Sequence, residues 1–330
     1  MSETLTNLDE VIAAIEEPAD TLIIFHRNPD ADAVGSAFAL QNVMEQLGSP
    51  TRCICCDEVP AYLQFLSQET QESVLSGAVL ADFEPARIIS VDTASLSQMG
   101  SLAETFGERV DLMIDHHEGE NHYGAQCYIR TTAAATGEII FDLIKQLAGE
   151  ERITIDEDMC ICLYAAISGD TGCFRYSNVT PRTHIRAAEL VASGIDCAEI
   201  NRRLFENKSL ERLRAQSAAI SNMELFADGK VAVVTFPYAL KAALGLGDED
   251  LGALVDIPRS LSGVEVAFCI RQPLPEGRFR VSARSNGAYD VSELCRKFDG
   301  GGHAKAAGCT LTAPDMAEAV RTVVSAIRFE

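Results

Sequence analysis

The sequence predicts an α/β protein: an N-terminal parallel-sheet domain joined by a helical linker to a smaller α+β C-terminal domain. Three observations carry that expectation. Short apolar, β-rich runs alternate with amphipathic stretches up to about Ile195. Residues 196–226 are helical in pattern almost throughout. Strands return from Lys230, followed by a glycine run and a closing helix. The expected domains are therefore 1–195, a linker over 196–226, and 227–330.

Taken in order, Thr21–His26, Thr51–Cys56, Arg87–Asp92 and Val110–Asp115 read as strands. They are mostly unbroken apolar runs, as a parallel sheet covered on both faces requires. Ala33–Leu47 reads as a helix stopped by Gly48 and Pro50, and Ala133–Leu147 and Glu157–Ile167 read as two more. Thr180-Pro181 supplies an N-cap and a proline at the first position of a helix over Arg182–Ala192, which Gly194 closes. The segment 196–226 predicts one long connecting helix. Beyond it, Val231–Phe236, Val264–Arg271 and Arg278–Arg284 read as strands and Asp315–Ile327 as the last helix.

Composition narrows the function classes. The 330 residues carry 27 Lys+Arg against 49 Asp+Glu, a net charge of −22. Such acidity argues against a broad surface tracking long nucleic acid, while leaving room for a short anionic substrate held locally. The longest apolar run, Met159–Ile167, is about half a membrane span, and the acidic N-terminus is not a secretory signal. Eleven cysteines, scattered in apolar segments, read as reduced buried thiols of a cytoplasmic protein. A homodimer is compatible with the sequence.

Four clusters stand where strands or a buried helix end, at the crevice edge of an α/β sheet. His26-Arg27-Asn28-Pro29-Asp30-Ala31-Asp32 follows the first strand; taken alone, Asp32 is an ordinary helix cap. Asp92 ends a second strand, and Asp115-His116-His117 ends a third. Ser168-Gly169-Asp170-Thr171-Gly172 ends an apolar helix. Adjacent histidines cannot share one face, so His116 and His117 should serve different partners. Two imidazoles and four carboxylates (His26, Asp30, Asp32, Asp92, His116, Asp170) suit a pair of divalent ions. Mn²⁺ is the first expectation, with Mg²⁺ or Co²⁺ next, while zinc–thiolate is disfavoured because no cluster supplies a cysteine ligand. Paired ions clamp the attacking and leaving oxygens of phosphoryl displacement.

These motifs, in this order, resemble the DHH superfamily of phosphoesterases, named for the Asp115-His116-His117 triplet. Arg280-Val281-Ser282-Ala283-Arg284-Ser285-Asn286, Asp290-Val291-Ser292 and Gly300-Gly301-Gly302-His303 resemble the DHH-associated C-terminal domain, so the likeness spans nearly the whole chain. Within the superfamily the chain looks most like the bifunctional oligoribonuclease (nano-RNase)/pAp phosphatase family. The resemblance implies that His26 and Asp30 hold one ion, that Asp32, His116 and Asp170 hold the other, and that Asp92 bridges them. It further implies that His117 faces the scissile phosphate, that Asp115 orients a histidine, and that a metal-activated water attacks without a covalent enzyme intermediate.

The C-terminal cluster has its own chemistry. Consecutive glycines can expose backbone N–H groups to a phosphate or terminal nucleotide, although a plain tight turn would look the same. Residues 271–305 hold seven basic against four acidic residues, and 171–186 add Arg175, Arg182 and Arg186 with no acid. The basic patches are expected to face each other across an inter-domain cleft that contains the active site. Arg284, His303 and Gly300, Gly301 and Gly302 are the expected substrate contacts.

The function expected from this reading is a manganese-dependent phosphohydrolase, taking two Mn²⁺ per chain, that degrades short RNA to nucleoside monophosphates and converts pAp to AMP. Long nucleic acid and membranes are not expected partners. A phosphodiesterase for linear or cyclic dinucleotides would share these residues. A non-catalytic nucleotide-binding regulator should have lost metal ligands, and none of the six is missing.

Overall fold

The computed structural model describes residues 2–66, 83–117, 122–247, 251 and 254–328. The chain divides into two compact units, Met1–Asn207 and Lys208–Glu330.

The first unit is built on six parallel strands: β1 (Glu3–Thr4), β2 (Thr21–Ile24), β3 (Thr51–Ile54), β4 (Arg87–Val91), β5 (Leu112–Asp115) and β6 (Gln126–Ile129), in the order β1-β6-β5-β4-β2-β3. All four residues of β2 are buried. Ile23 and Phe25 enter the main core, whereas Leu22 and Ile24 join Ile54, Ile88 and Phe106 in a second one. Alternate side chains thus leave the sheet on opposite faces and both faces are covered, which is why these strands read as continuous apolar runs.

Helices α1 (Leu8–Ile15), α2 (Ala31–Gln46), α3 (Leu102–Phe106), α4 (Thr136–Gly149), α5 (Glu157–Asp170) and α6 (Pro181–Ala192) complete most of the unit. At α6 the Thr180 side chain accepts from Thr183 N–H, and the Thr183 hydroxyl accepts from the Thr180 N–H. That reciprocal box fixes the helix start. Among the described residues no helix is long and apolar enough to cross a membrane. All eleven cysteines are free thiols, eight of them buried. Cys53 and Cys56 have Cys-x-x-Cys spacing but different surroundings: the Cys53 thiol donates to Gln41 Oε1 at 3.3 Å, while Cys56 packs on Gly100.

Three expectations are corrected here. Strands β1 and β6 extend the sheet on the β5 side and were not anticipated, because two and four residues are too short for a period to show. The segment 196–226 is not one helix. It consists of α7 (Cys197–Asn201), a π-helical turn over Arg202–Glu206, α8 (Leu210–Ser221) and β7 (Glu224–Phe226). Asn207 to Ser209 interrupts it because the Ser209 hydroxyl accepts from the Arg212 N–H and caps a new helix. Finally, the cap of α2 is Asp30 rather than Asp32: Asp30 Oδ1 accepts from the N–H groups of Asp32 (3.0 Å) and Ala33 (3.1 Å).

The second unit carries a mixed sheet of β7, β8 (Val231–Phe236), β9 (Val266–Arg271), β10 (Arg278–Ser285), β11 (Gly301–His303) and β12 (Ala306–Thr312), ordered β11-β12-β10-β9-β8-β7. Only β8 and β9 pair in parallel. Helices α9 (Tyr238–Leu244), α10 (Asp256–Arg259), α11 (Val291–Arg296) and α12 (Met316–Ser325) accompany it. Along β10, Phe279, Val281 and Ala283 face a core shared with Leu294 and Val323. Arg278, Arg280, Ser282 and Arg284 alternate with them on the other face.

Candidate metal centre

The neighbours β5, β4 and β2 run in parallel, so their carboxyl ends open at one edge of the sheet. His26 follows β2. Its Nδ1 lies 2.8 Å from the Arg27 carbonyl oxygen, and its Nε2 is 3.7 Å from Asp30 Oδ1 and 3.5 Å from Asp92 Oδ2. Asp92 follows β4 with φ of 49°, a left-handed conformation that aspartate tolerates better than most residues. Its N–H still donates to the Ile114 carbonyl at 3.1 Å, so the strand ladder holds it up to the point where the chain turns.

Asp115 ends β5 with no solvent exposure. Its Oδ1 accepts from the His116 N–H (2.7 Å), the His117 N–H (3.0 Å) and His117 Nδ1 (2.7 Å). One buried carboxylate therefore fixes both the local turn and the His117 ring. His116 goes elsewhere: its Nδ1 is 3.2 Å from the Ala133 carbonyl oxygen, and its Nε2 is 3.3 Å from Asp170 Oδ2, 3.7 Å from Asp92 Oδ1 and 3.9 Å from Asp32 Oδ2. The two imidazoles meet edge to face at 4.3 Å between centroids. Asp170 arrives from the last turn of α5.

Two donor groups of similar composition result: His26, Asp30 and Asp92, and Asp32, His116 and Asp170. A further grouping joins Asp92 to Asp115, His116 and His117. Asp92 presents Oδ2 to the first group's histidine and Oδ1 to the second's.

The electrostatics suit cations. Burial and the neighbouring carboxylates of Asp92, Asp170 and Asp30 push Asp32 well above the usual carboxylate range. Burial with Asp30 and Asp92 does the same to Asp170. Asp92 goes the other way: burial opposes ionisation, but the hydrogen-bonded His26 and the charges of His117 and His116 hold it low. Four carboxylates this close cannot all ionise without compensation, and a hard-to-borderline oxygen and imidazole donor set fits divalent ions of the Mn²⁺ or Mg²⁺ kind. His117 is raised to about 9: burial alone would lower it, and the Asp115 hydrogen bond with the Asp92 charge outweighs burial.

Arg284 and His303 both belong to the second unit. Arg284 on β10 is in register with Ala306 on β12, which is in register with His303 on β11. Residues in one cross-strand row share a face, so the arginine and histidine stand two strands apart on the same side. The glycine run is not a free loop: Gly301 and Gly302 pair as edge strand β11 with β12. A Cβ at Gly300 would fall 2.2 Å from the Gly308 carbonyl oxygen, and one at Gly302 2.5 Å from that of Ala306. Backbone packing therefore accounts for glycine at both positions. Nothing lies within 4 Å of a Cβ at Gly301.

Sequence reasoning missed one component. Both oxygens of Asp32 are taken by the amino end of α4: Thr136 N–H donates to Oδ2 at 2.7 Å and Gly137 N–H to Oδ1 at 2.8 Å, with the Ser36 hydroxyl on Oδ1 at 3.0 Å. The signal was the run Ala133-Ala134-Ala135 ahead of Thr136, which leaves the start of α4 with no capping side chain of its own; the helix begins at Thr136 and not at Ala133.

Two family models match the chain in sequence order. Residues 20–167 match the DHH family N-terminal domain and 228–328 match the DHHA1 domain. The chain is 30% identical to a bifunctional oligoribonuclease and PAP phosphatase from Thermus thermophilus, over 99% of this chain and 94% of that protein. It is also 30% identical to a probable bifunctional oligoribonuclease and PAP phosphatase from Streptococcus mutans, over 92% and 93%. An exopolyphosphatase-related protein from Bacteroides fragilis shares the fold, with a TM-score of 0.86 at 24% identity over 97% of this chain and 94% of that one.

Proposed function

The chain belongs to the DHH family of phosphoesterases, with a DHHA1 domain in its second unit, and from that premise we propose that it is a manganese-dependent hydrolase of very short RNA and of pAp. The observation that carries the reading is Asp92, which stands between two donor groups and offers one oxygen to each. His26, Asp30 and Asp92 would hold one ion and Asp32, His116 and Asp170 the other, with Asp92 bridging. Two ions there would stabilise charge on the phosphoryl oxygens and make a water acidic enough to attack phosphorus near neutral pH.

The protein's own groups do the rest. His117, kept protonated by Asp115, supplies a proton to the departing ribose oxygen and balances charge as the P–O bond breaks. Water adds to phosphorus and the ester oxygen leaves as a hydroxyl. AMP and inorganic phosphate result from pAp, and a shortened chain and a mononucleotide from RNA. In the second unit, Arg284, His303 and the Gly300–Gly302 backbone would bind phosphate or the terminal nucleotide. A substrate of two to five nucleotides needs only local positive charge, which residues 271–305 carry inside a chain of net charge −22.

The test offers the purified chain with Mn²⁺ five substrates: pAp, a dinucleotide, a five-mer, a 24-mer and cyclic di-AMP, with products resolved by chromatography. Turnover of the first three and not of the 24-mer is expected. Preferential turnover of cyclic di-AMP would replace this reading with the cyclic-dinucleotide phosphodiesterase one.

A further inference from the structure

Helix α4 begins with Ala135 at its N-cap, a residue with no side-chain acceptor. Its first N–H groups are satisfied instead from another element, by Asp32 of α2. The same residue that gives Asp32 its shortest contact, Thr136, is fully buried and directs its hydroxyl to Asp92 Oδ1 at 3.1 Å. Thr136 thus bonds one carboxylate from each donor group: Asp32 through the backbone and Asp92 through the side chain. Gly137 allows this approach, since a Cβ there would sit 2.6 Å from the Ala166 Cβ and 3.3 Å from Asp32 Oδ1.

Helix α4 is in turn held from the far side. Arg186 on α6 reaches Glu138 at 3.1 Å and Asp142 at 2.8 and 2.6 Å, and Arg130 reaches Asp142 at 2.7 Å. Glu138 and Arg186 are both buried. The hydroxyl of Thr136 is therefore presented from a braced helix end.

We propose that Thr136 is a positioning residue that couples the two ion sites, its hydroxyl fixing the rotation of the Asp92 carboxylate so that each oxygen faces its own donor group. The physical need is specific. The terminal torsion of an aspartate is broad and roughly two-fold, so the strand alone does not decide where Oδ1 and Oδ2 point. A hydrogen bond to one oxygen does. The role rests on the two-ion reading above, and Thr136 touches no reacting atom.

The experiment titrates Mn²⁺ calorimetrically into the metal-free full chain, as wild type and as Thr136→Val, Thr136→Ala and Thr136→Ser, with thermal melting to check the fold. Valine keeps the shape and the backbone donor and loses only the hydroxyl; alanine covers the case in which valine does not fold. Valine and alanine should weaken the binding of at least one ion about ten- to hundredfold, and serine should restore it. Wild-type binding of both ions by the valine or alanine variant would overturn the proposal. So would equal weakening in serine and valine, which would show that the fit of the whole side chain, and not its hydroxyl, sets ion binding. Failure of the wild-type chain to bind two ions would instead remove the two-ion reading, and this proposal with it.

Discussion

In the first unit the candidate ligands gather at the carboxyl edge of the parallel sheet. Asp32 and Asp92, which both face His116, are at most 2% exposed, while the Asp30 side chain at the rim is 52% exposed. In the second, Arg284 lies on the face of β10 opposite the core, and the whole of β11, which carries His303, is exposed. The contrast separates two demands. Setting carboxylates close enough to share ions needs their geometry fixed by neighbouring donors, and the first unit fixes Asp32 and Asp92 in that way at its buried centre. Gripping a phosphate or a terminal nucleotide needs reachable charge and a surface that tolerates different ligands. The β10–β12–β11 end of the second sheet offers exposed small and basic residues of that kind, while the β8–β9 part of the same face is covered by a core around Val234 and Cys269.

The sharpest way to break the comparison is Asp92→Ala. Its carboxylate serves both donor groups, so ion occupancy should fall and turnover should drop below about a tenth of wild type, further than for any other single ligand change. Elemental analysis beside a pAp assay checks this. A variant that keeps two ions and more than that activity would show that Asp92 does not bridge.

The matching change in the second unit should act on substrate and spare the metal. Arg284→Ala and His303→Ala should lower kcat/KM for a dinucleotide roughly ten- to hundredfold, the loss of one charge-assisted contact. Ion content and hydrolysis of bis-p-nitrophenyl phosphate, a small ester, should change little. Equal losses on both substrates would place these residues in the chemistry or the fold and erase the distinction between the units.

A smaller effect is expected from Asp115→Asn, read as a pH profile. If His117 donates the proton, its imidazolium is the active form, so activity is present below its pKa and lost as pH rises through it. Asp115 raises that value to about 9 against burial, and bound cations beside it would bring the limb somewhat lower. Removing the Asp115 charge should move the alkaline limb down by about one unit or more. An unmoved limb would exclude His117 as the proton donor.

The least effect of all should come from Gly301→Ala, at less than about 0.5 kcal/mol of stability, because nothing stands within 4 Å of the new Cβ. Gly300→Ala should cost several times more, since its Cβ would overlap the Gly308 carbonyl. Denaturant midpoints of the two variants decide this. If Gly301→Ala leaves the fold intact yet weakens dinucleotide turnover, the edge strand itself contacts substrate.

Much of this protein is local in origin, and that part was legible in the amino acids. Unbroken apolar runs such as Thr21–Ile24 declare strands buried on both faces, and Thr180-Pro181 declares a helix start, because each depends on residues a few positions apart. The polar residues that end those runs mark the sheet edge where ligands gather, so His26, Asp92 and Asp115-His116-His117 could be picked out before any coordinate. Tertiary structure alone decided how the gathered groups divide their work. Asp30 caps its own helix while Asp32 caps α4, more than a hundred residues away. Gly300 and Gly302 are glycines because β12 passes too close for a side chain, and Thr136 matters because a helix end with no cap of its own lies against two carboxylates. Hydrogen bonds and contacts of that range leave no period and no neighbouring partner in the chain, so only the folded molecule shows them.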